Sequence, residues 1–365
     1  MNNKFAFIIH PLDLNDIFRK YSFMRRWPRS LVNALIKKMP PIKASTITGV
    51  SSLYNQTEGC FIGVTLTPEM IYNIPTEQVL HKIIAAGKLA EKAGAKIVGL
   101  GALTAVIGDA GITIARELNI AVTTGNSYTV ATALEGTKQA VKLMGKELEN
   151  CEVAILGATG SIGSVCARIL SREVKYLSLI ARNESRLEGL ARNILNDTGL
   201  AVKISNNVAR AVSCADVIIA VSGAAECLIS PEDLKPGAIV CDVARPRDVS
   251  TKVAETRDDV LVIEGGIVEV PGDVNFNFDF GFPPRTAYAC MAETMILALE
   301  NRFENFTLGR ELTVKQVDEI SLLAKKHGFR LAGFRSFERP VSLETIKRIK
   351  ERADMRLKAL NKGRA

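Results

Sequence analysis

"VAILGATGSIGSVCARIL", residues 153–170, decides how the rest of the chain is read. An apolar run ends at Gly157, and a helical pattern opens a few residues later, with Gly160 and Gly163 inside the turn. Small residues are what a phosphate-binding turn requires. The backbone must bend tightly, approach a pyrophosphate, and aim the amides of the helix N-terminus at its charge. A glycine triplet alone is weak evidence. A strand before it, a helix after it and another strand at the expected distance supply the confirming context. The predicted cofactor contacts are Gly157, Ala158, Thr159, Gly160, Ser161, Ile162 and Gly163.

Downstream, "YLSLIAR" (176–182), "ADVIIAVSG" (215–223), "AIVCDVA" (238–244) and "VLVIEGGIVE" (260–269) read as strands separated by helix-compatible segments. That is the rhythm of a doubly wound Rossmann domain. The second strand of such a domain normally ends in an acid that holds the ribose 2′-hydroxyl of NAD. Here it ends "LIARNESRL" (179–187), with Arg182 in the acid's place. A guanidinium suits a 2′-phosphate, so NADP(H) is the expected cofactor, held by Arg182 and Asn183 with Arg186 nearby. Val221 in "AVSG" and Gly266 after the last strand are expected to line the cofactor crevice.

Upstream, "FAFII" (5–9), "CFIGVTL" (60–66), "KIVGLGAL" (96–103) and "IAVTTGN" (120–126) read as strands, with helices near 76–94, 109–118 and 127–145. Ser127 is the expected cap of the last helix. From Pro283 onward strand signals vanish, and helical patterns cover about 285–303, 313–327 and 341–361. The expected architecture is α/β: an N-terminal substrate domain over 1–148, a Rossmann NADP-binding domain over 149–282, and a C-terminal helical segment over 283–365. A chain of 365 residues is long enough for this division.

Composition narrows the class. Apolar residues make up 47% and charged residues 24%, ordinary values for a globular α/β protein. No apolar run approaches the roughly 18–20 residues of a spanning helix, and the first residues lack a signal-peptide pattern, so a cytoplasmic protein is expected. The seven cysteines are scattered without a CxxC pair, and there are three histidines, so neither a disulfide framework nor a metal site is expected. Both ends are basic. Residues 1–50 hold nine Lys/Arg against two Asp, and residues 340–365 hold eight against three acids. These ends read either as solvated helix faces or as surfaces for an acidic partner or an anionic membrane. No aromatic residues interleave with them in a nucleic-acid-binding pattern, and nucleic acid is not an expected partner.

One cysteine stands apart. In "RTAYACMAETM" (285–295) the apolar spacing turns Cys290 inward, as in a core helix. Yet Pro283 and Pro284 place the helix start near Thr286, so Cys290 falls near the first turn, where amide dipoles favour a thiolate. The residues support a core cysteine and a nucleophile alike.

The chain resembles the long-chain acyl-[acyl-carrier-protein] reductases known from cyanobacteria, which make fatty aldehydes. The resemblance spans about 45–330 and rests on an ordered series of segments. They include "GCFIGVTLTPEM" (59–70), "GLGALTAVIG" (99–108), "TTGNSYT" (123–129), "VAILGATGSIGS" (153–164), "EGGIVE" (264–269), "ACMAETM" (289–295), "NFTLGR" (305–310) and "KHGF" (326–329). It implies that Cys290 takes the acyl group as a thioester, that NADPH reduces it, and that an acyl carrier protein or coenzyme A donates it. It further implies an acyl tunnel in the N-terminal domain with "GLGAL" and "TTGN" at its mouth. The chain has Tyr128 and Val270 where that family tends to histidine, and "CDVARPRDVS" (241–250) looks more like the matching region of glutamyl-tRNA reductases. The rival expectation is a shikimate- or amino-acid-dehydrogenase-like enzyme, for which Lys88 and Asp109 are the acid/base candidates.

Overall fold

The computed structural model describes residues 4–224, 226–279 and 281–362. The outermost residues of the expected first and last domains, 1–3 and 363–365, lie outside that range. The chain divides into two units. The first comprises Met1–Tyr128, Val268–Glu311 and Glu319–Arg330; the second comprises Thr129–Ile267, Leu312–Asp318 and Leu331–Ala365.

The first unit begins with β1 (Lys4–Ile9), α1 (Leu14–Lys20), α2 (Arg29–Lys38), β2 (Ile42–Ser51) and β3 (Gln56–Gly63). It continues through α3 (Pro68–Asn73), α4 (Thr76–Lys92), β4 (Ile97–Leu100), α5 (Ile112–Glu117) and β5 (Ala121–Thr123). Phe5, Ala6, Phe7 and Ile8 of β1 are all buried. A strand covered on both faces shows this continuous apolar run instead of alternation. β1 runs parallel to β3 and β4, with Phe7 opposite Phe61 on one side and Gly99 on the other. β2, with its Ser/Thr-rich sequence, was not expected; it pairs antiparallel with β3.

The second unit takes in most of α6 (Asn126–Leu143), then β6 (Glu152–Leu156), α7 (Ser161–Leu170), β7 (Tyr176–Ile180), α8 (Glu184–Thr198) and β8 (Lys203–Ser205). α9 (Val208–Ser213), β9 (Val217–Ala220), β10 (Ile239–Asp242), α10 (Lys252–Thr256) and β11 (Leu261–Glu264) follow. The sheet order is β11-β10-β9-β6-β7-β8, and every recorded pairing in it is parallel. Counted from β6 this is the order 3-2-1-4-5-6 of a dinucleotide-binding sheet, which reverses between β6 and β9.

The remaining chain is shared out. β12 (Ile267–Glu269) is followed by β13 (Gly272–Asn275), which pairs antiparallel with β2 and completes the first sheet, β13-β2-β3-β1-β4-β5. The first sheet is therefore mixed, not purely parallel. β14 (Thr286–Tyr288) leads into α11 (Ala289–Leu299), which packs on β1 and β4. α12 (Val314–His327), β15 (Arg330–Leu331), β16 (Phe334–Ser336), β17 (Arg339–Val341) and α13 (Leu343–Lys362) end the description.

Two expectations are corrected here. Residues 283–365 do not form a separate helical body. α11 is apolar on all sides except at Glu293 and Thr294, and such a helix has to be buried, so it joins the first unit, while Val317 and Ile346 enter the core of the second. Strands also persist beyond Pro283. β14 to β17 run two or three residues each, too short to show alternation.

Candidate active site

The second unit carries a formed phosphate cradle. Gly157 follows β6 with φ +86°, and its amide and that of Ala158 both donate to Ile180 O, at 2.8 and 3.1 Å. A Cβ on Gly157 would lie 2.7 Å from Val221 O, and one on Gly163 would lie 2.3 Å from Gly157 O. A side chain at either position would collide with backbone, so only glycine lets the loop pack against the end of β9 and α7 pack against the loop. Gly160 caps α7, Ser161 and Ile162 open its first turn half-buried, and Thr159 is half-buried at the bend. These residues fit a dinucleotide cofactor, with the first amides of α7 facing its phosphates.

The other predicted contacts divide. Val221 lies beside the loop, its amide donating to Leu156 O over 2.9 Å. Arg182 is exposed just past β7, in reach of solvent. Asn183 caps α8, its Oδ1 accepting from Arg186 N at 2.9 Å, so only its amide group is left for a ligand. Gly266 (φ +81°) follows β11, with β10 and β9 between it and β6. At the usual strand spacing that is about 14 Å across the sheet from the glycine loop.

A buried acidic pair lies at the ends of β9 and β10 and was not foreseen. Asp248 accepts from Ser222 N at 2.8 Å and from the Ser222 hydroxyl. Asp242 accepts from Ala244 N and Val249 N, each at 3.2 Å. Burial pushes the Asp242 carboxyl up to about 6, against the pull of the Val249 amide and Arg245. Burial raises Asp248 as well.

The first unit holds Cys290. Tyr288 is the N-cap residue of α11, Ala289 its first residue and Cys290 its second. The helix therefore starts later than Thr286, which places Cys290 deeper in the field of the first-turn amides. Ala289 and all nine residues from Met291 to Leu299 are buried. Cys290 alone in α11 is partly exposed. The apolar spacing that turned it inward is overridden because it sits at the helix end.

Behind Cys290 stands a polar cluster. Glu293, one turn on and 0% exposed, accepts hydrogen bonds from Thr123 Oγ1 (2.5 Å), Ser127 Oγ (2.6 Å), Thr307 Oγ1 (2.8 Å) and Tyr128 N (2.9 Å). Ser127 is thus bound to Glu293, not capping α6. Glu293 was passed over in the sequence, although it is the one charged residue in an otherwise apolar helix. Between Thr123 and Ser127, Gly125 adopts φ +76°, and a Cβ on it would lie 2.3 Å from Cys290 Cα and 2.4 Å from Cys290 Cβ. "TTGN" therefore lies against the cysteine. In "GLGAL", Gly99 packs closely, since a Cβ on it would meet Thr294 Oγ1 at 2.1 Å and Phe7 at 2.5 Å, while Ala102 is exposed. Tyr128 and Val270, the positions of the absent histidines, are both buried.

None of the seven cysteines is in a disulfide. Burial raises the thiols of Cys60, Cys151 and Cys166, and that of Cys241 to about 12. Among the described residues no cluster of three or more His, Cys, Asp or Glu is placed to hold a metal, and no helix is long and apolar enough to cross a membrane.

A doubly wound parallel sheet with this cradle defines an NAD(P)-binding oxidoreductase fold. The family model of shikimate/quinate 5-dehydrogenases matches residues 138–264, a stretch within the second unit. Among curated proteins, the chain is 31% identical over 277 residues to the aminotransferase PigE of a Serratia strain, covering 74% of this chain and 32% of that protein. It thus spans about a third of PigE. It is also 29% identical over 304 residues to the long-chain acyl-[acyl-carrier-protein] reductase of Synechococcus elongatus, covering 80% of this chain and 87% of that one. Among solved structures it is similar to the NAD-dependent malic enzyme of Thermotoga maritima, at 15% identity and TM-score 0.43, over 96% of this chain and 83% of that one.

Proposed function

We propose that this protein is an NADPH-dependent reductase that converts an acyl thioester, carried by acyl carrier protein or coenzyme A, to an aldehyde through an acyl group held on Cys290. The observation that carries the reading is the place of Cys290, partly exposed in the first turn of a helix whose other residues are all buried. The likeness to the Synechococcus reductase over 87% of that protein supports it.

The Cys290 thiolate, favoured by the first-turn amides of α11, attacks the thioester carbonyl. The carrier's sulfur leaves as a thiolate, which takes a proton from solvent, and the acyl group becomes a Cys290 thioester. The same amides could donate to the oxyanion. Gly125, without a side chain, lets the segment after β5 approach the Cys290 backbone. The Gly157–Gly163 turn would hold the pyrophosphate of NADPH and Arg182 its 2′-phosphate; the bound cofactor would supply a hydride to the acyl carbon, and Cys290 would leave as a thiolate as the aldehyde is released.

The test is incubation with a long-chain acyl-CoA in the absence of NADPH. An adduct of acyl mass is expected on the peptide holding Cys290, sensitive to hydroxylamine, with aldehyde appearing on addition of NADPH. Cys290→Ser should lose label and aldehyde together, because an alkoxide is a poor leaving group and a serine needs an adjacent base. Aldehyde formation by Cys290→Ser at the wild-type rate overturns the reading.

The second reading, a shikimate- or amino-acid-dehydrogenase-like enzyme, is favoured by the family match to 138–264. That match covers neither Cys290 nor the N-terminal sheet. Its candidate acid and base also fare poorly. Lys88 is exposed on α4, and Asp109 is committed to Thr113, accepting from its amide at 3.0 Å and its hydroxyl at 2.6 Å. NADP+ reduction with a small hydroxy or amino acid, unimpaired in Cys290→Ser, would establish it.

A further inference from the structure

The two basic ends have different fates. In α13, Arg352 and Arg356 pair with Asp258 at 2.7 and 2.9 Å, and Arg356 also with Asp259 at 2.7 Å. Those charges serve the second unit's own packing. Near the N-terminus, by contrast, the chain has no acid between Asp16 and Glu58 and eight Lys/Arg in the same interval. Arg25, Arg26, Arg29, Lys37 and Lys38 are all exposed, and none of the recorded ion pairs among the described residues uses them.

Large apolar side chains stand among these cations. Phe23 is 57% exposed, Trp27 39%, Leu31 53% and Leu35 37%. Leu31 and Leu35 lie one turn apart on the same side of α2, and Trp27 stands just before the helix, where the short 3-10 turn Ser22–Arg26 ends. Phe23 packs edge-on to Trp27 with ring centres 5.6 Å apart. This exposed set is not an inner face awaiting a core. The inner face of the segment is Met24, Val32 and Ile36, all buried. The end of α2 is also pinned to the first unit: Thr65 Oγ1 donates to Ile36 O at 2.9 Å and Lys82 Nζ to Met39 O at 2.8 Å. A docked helix with a second apolar face, aromatic at one end and ringed by cations, matches what lies in the headgroup layer of a membrane.

We propose that Phe23, Trp27, Leu31 and Leu35, with Arg25, Arg26, Arg29, Lys37 and Lys38, form a peripheral docking surface for an anionic lipid bilayer. The apolar side chains enter the interface and the cations pair with lipid phosphates. The charge identifies the occupant, since a surface without acids repels a second copy of itself and the exposed aromatics favour a lipid interface over water.

Trp27 is the only tryptophan in the sequence, so its fluorescence reports on this face alone. Addition of vesicles of phosphatidylcholine with phosphatidylglycerol should shift its emission to the blue, and brominated lipid should quench it. Pure phosphatidylcholine should do neither. In flotation with the anionic vesicles, the paired substitution Trp27→Ser and Leu31→Ser should lower partitioning roughly tenfold or more, with circular dichroism unchanged because both side chains are exposed. Arg25→Gln with Arg26→Gln should lower it comparably at low salt and little at high salt. Cys290→Ser should partition like the wild type, so the outcome is independent of the reaction proposed above. Absence of a blue shift with anionic vesicles, or partitioning unaffected by Trp27→Ser and Leu31→Ser, overturns the proposal. So does a shift elicited by an acidic protein, or by concentrating the chain itself, but not by vesicles.

Discussion

Ser127 donates its hydroxyl to Glu293 across 2.6 Å, although the two are 166 positions apart. This bond and its three companions tie the first turns of α11 to Thr123 at the end of β5, to the segment after it and to Thr307, and so hold Gly125 against Cys290. Glu293→Gln keeps the shape but puts an NH2 group among donors, leaving at least one of them unpaired in a fully buried site. A loss of about 1–3 kcal/mol is expected, seen as a melting temperature lower by a few degrees in calorimetry. Acylation of Cys290 should slow as well. An unchanged melting temperature would show that the cluster does not brace the site.

Cysteine reactivity should separate cleanly. The thiols of Cys60, Cys151, Cys166 and Cys241 are raised by burial, while Cys214, Cys227 and Cys290 are at least partly exposed. Iodoacetamide on the native protein at neutral pH should modify only those three, as read by peptide mass mapping, with the other four labelled after unfolding. Acyl-CoA should label Cys290 alone. Acyl label on Cys214 or Cys227 at the same rate would show that exposure, not the helix start, governs acylation.

Arg182 is exposed just past the end of β7. Arg182→Ala should weaken NADPH by about 1.5–3 kcal/mol, the range for a charged hydrogen bond, and NADH much less. Titration of both cofactors decides it, and equal losses would take Arg182 away from the 2′-phosphate. Asn183→Ala, which removes the cap of α8, should instead cost about 1 kcal/mol of stability.

The raised carboxyl of Asp242 has a signed consequence. Between its ordinary 3.8 and about 6 in the fold, the folded protein binds a proton that the unfolded chain does not. Stability from this group is therefore greatest below pH 4 and is lost as pH rises through about 6, by no more than about 3 kcal/mol. Wild type should gain on Asp242→Ala as pH falls from 7 to 5 in urea titrations. A difference between the two that stays flat over this window would contradict the shift.

Five of the six strands of the second sheet were legible because each is a buried apolar run, and because Gly157, Gly160 and Gly163 follow the first of them; β8, with the sequence Lys-Ile-Ser and mostly exposed, carries no such signal. The first sheet was half legible. β1, buried on both faces, announces itself, whereas β2 spends its residues on Ser, Thr and Lys and resembles a loop. Cys290 was found from its place after Pro283 and Pro284, but its exposure was misjudged because periodicity says nothing about where a helix ends. Glu293 was missed for the opposite reason. One acid in an apolar helix resembles a surface position until its partners arrive from Thr123 to Tyr128 and from Thr307, which sequence spacing cannot bring together.

The chain passes between its units at 128/129, 267/268, 311/312, 318/319 and 330/331, and this fixes an order of assembly during synthesis. All six strands of the dinucleotide-binding sheet lie between Glu152 and Glu264, so that sheet is complete in the nascent chain before β13 or α11 has been made. The N-terminal sheet, translated first, must wait with β2 unpaired on one edge and β1 and β4 uncovered. The N-terminal sheet thus leaves the ribosome before the second sheet yet reaches its native contacts after it, and the interval is a window in which a chaperone would find exposed apolar strand.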